Sequence, residues 1–155
     1  MLRFNSTPTP SSLPSMPCGS TKLNNLFILG ATTRLKMPIL KIFTNLPKSK
    51  IPADFVNKIL PVLSRTVKKP EHLFICMVSS DCSLSFGGNS TSPSALATLE
   101  SIGNLGVEEN RVIAKEVTDF IEKELGIARD HFLMSFYDKR GRDIAKGGVT
   151  RFPAT

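Results

Sequence analysis

The run Leu73-Phe74-Ile75-Cys76-Met77-Val78 is apolar throughout, where a half-buried strand would alternate apolar with polar. Unbroken apolar character over this length predicts a strand covered on both faces, as in a parallel sheet. Upstream of it, Ile51 to Val67 places Phe55, Ile59, Val62 and Leu63 at helical spacing. Pro52 suits the first helical turn. Pro61 falls inside the segment, where it kinks the helix or marks a boundary. Asn45-Leu46-Pro47 breaks the chain before that helix, and Pro38-Ile39-Leu40-Lys41-Ile42-Phe43-Thr44 is a short β-rich run. The order around the apolar run is therefore strand, helix, strand.

Downstream the scheme repeats. Ser85-Phe86-Gly87-Gly88-Asn89-Ser90 is a turn region, Ala95 to Ile102 reads as a strand although its alanine and leucine would also suit a helix, and Gly103 to Gly106 turns. Glu108 to Leu125 is the clearest helix, with Val112, Ile113, Val117, Phe120, Ile121 and Leu125 as its apolar stripe and Gly126 as its stop. Phe132 to Tyr137 is the last main strand. Two β-α-β units side by side predict an α/β (α+β) fold, a four-stranded mixed sheet with two helices on one face. Two helices cover one face only, yet strand 73–78 is apolar on both. No third layer is visible in the sequence, so another subunit is the expected cover for the second face.

The whole chain has 155 residues, 41% of them hydrophobic and 21% charged, ordinary values for one globular domain plus a tail. No apolar run reaches the roughly 18 residues that span a bilayer, so membrane insertion is not expected. The net charge of +7 raises nucleic acid as a partner. Its distribution argues against one: Arg3, Lys22, Arg34 and Lys36 lie in an acid-free stretch, and the remainder mixes signs. A mildly basic domain suits small carboxylate ligands at least as well. The cysteines Cys18, Cys76 and Cys82 are odd in number and lack Cys-x-x-Cys spacing, and the histidines are His72 and His131 only. Neither a disulfide framework nor a metal site is expected. Cys76 reads as a small buried hydrophobe, and both histidines as surface residues.

Composition changes near residue 36. Residues 1–36 are rich in Ser, Thr and Pro and lack Asp and Glu, and too little apolar surface is present to offset ordering entropy. Three readings stand: a mitochondrial transit peptide, a secretory signal (disfavoured by its short, late apolar patch Leu26-Phe27-Ile28-Leu29), or translation that begins at Met37. The domain boundaries are accordingly 1–36 for the extension and 37–155 for the folded unit.

From residue 37 onward the chain resembles the macrophage migration inhibitory factor and D-dopachrome tautomerase family. The resemblance is carried by Met37-Pro38 opening a strand, Thr44-Asn45-Leu46-Pro47, Lys69-Pro70 after the first helix, Ser85-Phe86-Gly87-Gly88, Ser101-Ile102-Gly103, Glu109-Asn110-Arg111 and Phe136-Tyr137-Asp138. It implies a homotrimer, which would cover the open sheet face. It also implies keto–enol tautomerisation without any cofactor, by an N-terminal proline freed of its initiator methionine. Pro38 is then the catalytic base. Lys69 would lower the amine's pKa and hold the carboxylate of a small aromatic keto acid or dopachrome-like substrate. Ile102 would bind substrate through its backbone, and Ile144 and Phe152 would line the apolar part of the pocket. Leu133 and Ser135 would face the pocket from a neighbouring subunit. The family also implies a candidate cell-surface receptor and a cytoplasmic protein, or one secreted without a signal peptide.

The chemistry requires a base titrating near neutrality. A free α-amino group lies near 7.7–8.0, and burial beside a cation lowers it. An internal Pro38 has a tertiary amide nitrogen and no such lone pair. Without the resemblance, Lys68-Lys69 reads as a solvated helix end, Ile102 and Phe152 as packing residues, and Gly87-Gly88 as a tight turn. Met16-Pro17 has no strand after it and is no competitor for Met37-Pro38. This chain departs from the family cytokine in having Leu133 for a tyrosine and Ser135 for an asparagine, and Leu133 is closer to D-dopachrome tautomerase. Ser94-Ala95-Leu96-Ala97 stands where the cytokine has a Cys-x-x-Cys pair, so thiol oxidoreduction is not expected. One residue is inserted near Thr91-Ser92-Pro93.

Overall fold

The structure is a computed structural model that describes residues 37–150, all within one compact unit. The extension 1–36 and Phe152 lie outside the described residues. Strands β1 (Ile39–Thr44), β2 (Ile75–Ser79), β3 (Ala95–Ser101) and β4 (Phe132–Asp138) form one sheet in the order β2-β1-β3-β4. The pairs β1/β2 and β3/β4 are parallel, and β1/β3 is antiparallel at the centre. This is the expected mixed sheet of two β-α-β units. Helices α1 (Phe55–Lys58) and α2 (Leu60–Val67) cross over in the first unit, and α3 (Val107–Leu125) in the second.

Alternation sets the faces. Leu40, Ile42 and Thr44 of β1 and Ala95, Ala97, Leu99 and Ser101 of β3 point to the helices and are buried. Phe55, Ile59, Leu63 and Val67 meet them from the first crossover, and Ile113, Val117, Ile121 and Leu125 from α3. Each fully buried side chain of this size contributes about 1.5–3 kcal/mol. Among the described residues, the buried apolar core runs from Leu40 to Phe132.

The crossover 51–67 is less continuous than its pattern predicts. Pro52 precedes the helix, its carbonyl accepting from Phe55 N–H in a turn. Helical pairing pauses at Ile59 because Pro61 has no N–H for the carbonyl one turn back. Val112 is a correction to the apolar stripe of α3: it is exposed, because it lies about 100° around the helix from Ile113, off the i, i+4 row 113-117-121-125. Strand β2 shows the uncovered second face that a single layer of helices leaves. Cys76 and Val78 pack toward the core, while Ile75 and Met77 on the other face are 46% and 43% exposed. Phe43, Leu133 and Tyr137 share that open face and are exposed too. Lys41 and Glu100 pair across it at 2.7 Å.

Two Gly-Gly turns complete the unit. Gly87 and Gly88 both have positive φ, and Phe86 and Asn89 exchange backbone hydrogen bonds around them. This is the mirror-image turn that glycine permits and β-hairpins favour. Gly147-Gly148 repeats the device between β5 (Ala145–Lys146) and β6 (Val149–Thr150), a small ribbon the sequence reading did not anticipate.

Candidate active site at the Pro38 end of the sheet

Pro38 is buried, and its carbonyl accepts from Ile75 N–H at 2.9 Å, so β2 fixes the backbone at this point. Ile39 pairs with Glu100. Continuing that antiparallel register by one residue sets Pro38 opposite Ser101.

Helix α2 ends at Lys68, whose left-handed φ of 57° turns the chain, with its N–H bonded to Ser64 carbonyl. The turn sends the next side chain, Lys69, inward. Lys69 is 6% exposed, so it is not the solvated helix end that Lys68-Lys69 alone implies. Its ammonium donates to Ser101 Oγ, to Ile102 O at 3.0 Å and to Gly103 O at 3.3 Å. A buried ammonium is costly unless its protons are taken up, and here the end of β3 takes them up.

The acceptors are themselves held. Ser101 Oγ donates to Gly103 O at 2.9 Å. Gly103 N–H donates to Asp138 Oδ1 at 2.7 Å, and Lys139 N–H to Ser101 O at 2.7 Å. Asn104 Nδ2 donates to Val67 O at 3.0 Å, tying the turn after β3 to the end of α2. Gly103 and Asn104 both sit at positive φ, so the turn is sharp enough to aim two consecutive carbonyls at one ammonium. Local sequence does not mark Ser101 for this role; the signal that points to it is its place on the inward, alternating face of β3.

Ile102 is brought to Lys69 through its carbonyl, as the resemblance implies. Leu133 and Ser135 are not brought to Pro38. They lie on the open sheet face, the former paired with Leu96 and the latter with Thr98, whereas Ser101 and Lys69 meet on the helix face. Two strand spacings and the register separate Pro38 from Ser135 by about 14 Å and from Leu133 by about 19 Å. Ile144 follows the short turn Gly141–Asp143 beyond β4, and its N–H donates back to Gly141. No hydrogen bond among the described residues links it to Lys69. Phe152 lies outside them.

No group of three or more His, Cys, Asp or Glu side chains able to hold a metal occurs among the described residues. His72 is exposed; His131 is half-buried against the Phe86 ring. Burial pushes the Cys76 thiol up to about 11, which keeps it protonated and unreactive.

A family model, macrophage migration inhibitory factor, matches residues 37–151, which spans every element of this site. The chain belongs to that family. It is 32% identical over 114 residues to the macrophage migration inhibitory factor homolog of Trichinella spiralis, covering 74% of this chain and 99% of that one. To the Rattus norvegicus factor it is 29% identical over 114 residues, 74% of this chain and 98% of the relative. Among solved structures, the Trichinella spiralis factor superposes with a TM-score of 0.69 at 28% identity, over 72% of this chain and 98% of that one. The Prochlorococcus marinus homologue gives 0.68 at 24% identity, over 74% and 99%, and supports the fold alone. These relatives are matched over 98–99% of their own length.

Proposed function

We propose that this family member is a cofactor-free keto–enol tautomerase for small aromatic keto acids or dopachrome-like substrates, with Pro38 as general base. The observation that carries this reading is the Lys69 ammonium, buried at the Pro38 end of the sheet on a cradle of β3 acceptors. A prolyl amine freed at this buried position, beside a fixed cation, would titrate below the usual α-amino range and serve near neutral pH. It would take the proton from the carbon next to the carbonyl, and the resulting ammonium would return it to the other end of the enol system. Lys69 would attract the substrate carboxylate and stabilise the developing oxyanion.

The reading requires a free Pro38 nitrogen, and therefore removal of Met37 and everything before it. Recombinant chains beginning at Met37 and at Met1 test it, with N-terminal sequencing of each. The Met37-start protein, trimmed to Pro38, should enolise phenylpyruvate. The chain retaining residues 1–37 should not, because its Pro38 nitrogen is an amide. Equal turnover by both, or none by a protein proven to start at Pro38, sinks the proposal. Such a protein keeps every buried core residue among the described ones and spans 98% of a relative solved as a folded chain.

A homotrimer belongs to this reading. The exposed Ile75, Met77, Phe43 and Leu133 call for a cover, and Leu133 and Ser135 can reach a Pro38 site only from another chain. Sedimentation should give three times the chain mass. A second reading, a cytokine-like or regulatory binding protein with a weak pocket, is favoured by Leu133 and Ser135, which offer neither the phenol nor the amide of the family cytokine. Pro38→Gly in the Met37-start protein separates the two: enolisation lost with receptor-dependent signalling intact supports the second. Cytoplasmic residence with release independent of a signal peptide is part of both, and fractionation against a mitochondrial marker tests it.

A further inference from the structure

We propose that Ser101 is a positioning residue for this reaction, holding the Lys69 ammonium so that one of its protons can pass to the substrate carboxylate without leaving a buried acceptor empty. The inference rests on the tautomerase reading for its kinetic consequences and on geometry for its core. An ammonium has three protons. Among the described residues Lys69 meets three acceptors, Ser101 Oγ, Ile102 O and Gly103 O, the last at the longest distance, 3.3 Å. A carboxylate arriving at Lys69 competes with these acceptors for the ammonium's protons. Gly103 O is the one that can be released, because Ser101 Oγ–H already donates to it at 2.9 Å. Ser101 therefore does two things at once: its lone pair keeps the ammonium in place, and its proton satisfies the carbonyl that the ammonium leaves.

The other half of the molecule shows that a buried hydroxyl here has no need of a cation. The positions run in parallel between the two β-α-β units, and the residue of the first unit corresponding to Ser101 is Thr44. Thr44 is also fully buried at the end of its strand, and its Oγ1 donates to Ser94 O at 2.8 Å. That hydroxyl serves the backbone alone. The same comparison indicates that this kind of position accepts a threonine.

The test uses Ser101→Ala and Ser101→Thr in the Met37-start protein, with two readouts. The first is the proton exchange rate of the Lys69 ammonium by nitrogen-resolved NMR, which does not depend on turnover. The second is KM and kcat for phenylpyruvate and for its methyl ester, with the pH profile of kcat/KM. Ser101→Ala should speed ammonium exchange at least tenfold and raise KM for the acid about tenfold. It should change KM for the ester less than threefold and move the acidic limb of the profile to higher pH. Ser101→Thr should restore all four. Ammonium exchange unchanged in Ser101→Ala, or equal KM changes for acid and ester, overturns the proposal. A wild-type protein that shows the protected ammonium and its loss in Ser101→Ala but no turnover upholds Ser101's hold on Lys69 and overturns the tautomerase reading instead. If Ser101→Ala does not fold, Ser101→Cys, similar in size and a weaker acceptor, takes its place under the same criteria.

Discussion

The two β-α-β units of this chain are built alike, yet only one presents a charge at its crossover. In the first, α2 ends at left-handed Lys68, Lys69 turns inward, Pro70 is extended, a short turn covers Glu71–Leu73, and Phe74 leads into β2. In the second, α3 ends at left-handed Gly126, Ile127 turns inward, Ala128 is extended, a short turn covers Arg129–His131, and Phe132 opens β4. Residue for residue, Lys69 corresponds to Ile127, which is fully buried in the core. The strand ends follow suit: Ser101 corresponds to Thr44, and Pro38 to Ala95. The second unit shows what the fold needs at this point, an apolar plug. The first carries an amine-bearing side chain instead and rearranges the end of β3 to satisfy it. A substitution that packing does not require, made at a buried position, argues for chemistry.

Exchanging the plugs tests this directly. Ile127→Lys should have the largest effect on stability, about 3–5 kcal/mol, because Thr44 Oγ1 already donates to Ser94 O and accepts from Leu46 N–H, so the counterpart of Ser101 is committed to the backbone. Urea denaturation measures it. A loss under 1 kcal/mol would mean that the two sites are equally able to hold a cation, and the contrast would be void.

Lys69→Leu is the converse. It should lower kcat/KM for a keto acid about a hundredfold, near 2.7 kcal/mol of transition-state stabilisation, while stability stays within about 1 kcal/mol of wild type or rises, as for buried charges replaced by apolar groups. Steady-state kinetics and urea denaturation of the same preparation decide it. Unfolding without a kinetic effect in the remaining folded fraction would make Lys69 structural.

The sequence carried the repeat but not its asymmetry. Strand alternation in β1 and β3 and the i, i+4 row of α3 are local patterns, so the elements and their order were legible. Val112 breaks the pattern because an apolar residue next to the row is indistinguishable, by composition, from part of it. Strand β2 is legible as apolar on both faces, and Ile75 and Met77 stand uncovered because both crossovers lie on the other side of the sheet. Lys69 and Ile102 were reachable only through resemblance, since Lys69 meets its acceptors across more than thirty positions of chain, and no local spacing encodes such a contact. The link between Ser101 and Lys69 escaped for the same reason. Leu133 and Ser135 lie far from Pro38 within one chain, on the open face of the sheet.

A smaller difference separates the outer strands. Cys76 of β2 and Met134 of β4 occupy corresponding positions, both partly buried against the core, but only the former can ionise. Burial raises the Cys76 pKa to about 11 from an ordinary value of 9.0. The fold therefore favours the protonated thiol. Below pH 9 that preference contributes nothing to pH dependence, because the thiol is protonated in both states. Between pH 9 and 11 the unfolded chain loses the proton first, and stability falls as pH rises, by up to about 2–3 kcal/mol once both states are ionised. Cys76→Val, which keeps an apolar side chain of similar size, should flatten this limb of the stability–pH curve without moving the proposed enolisation of phenylpyruvate. A limb that persists unchanged in Cys76→Val would assign it to lysine and tyrosine titration elsewhere, and would remove the thiol from the differences between the two units.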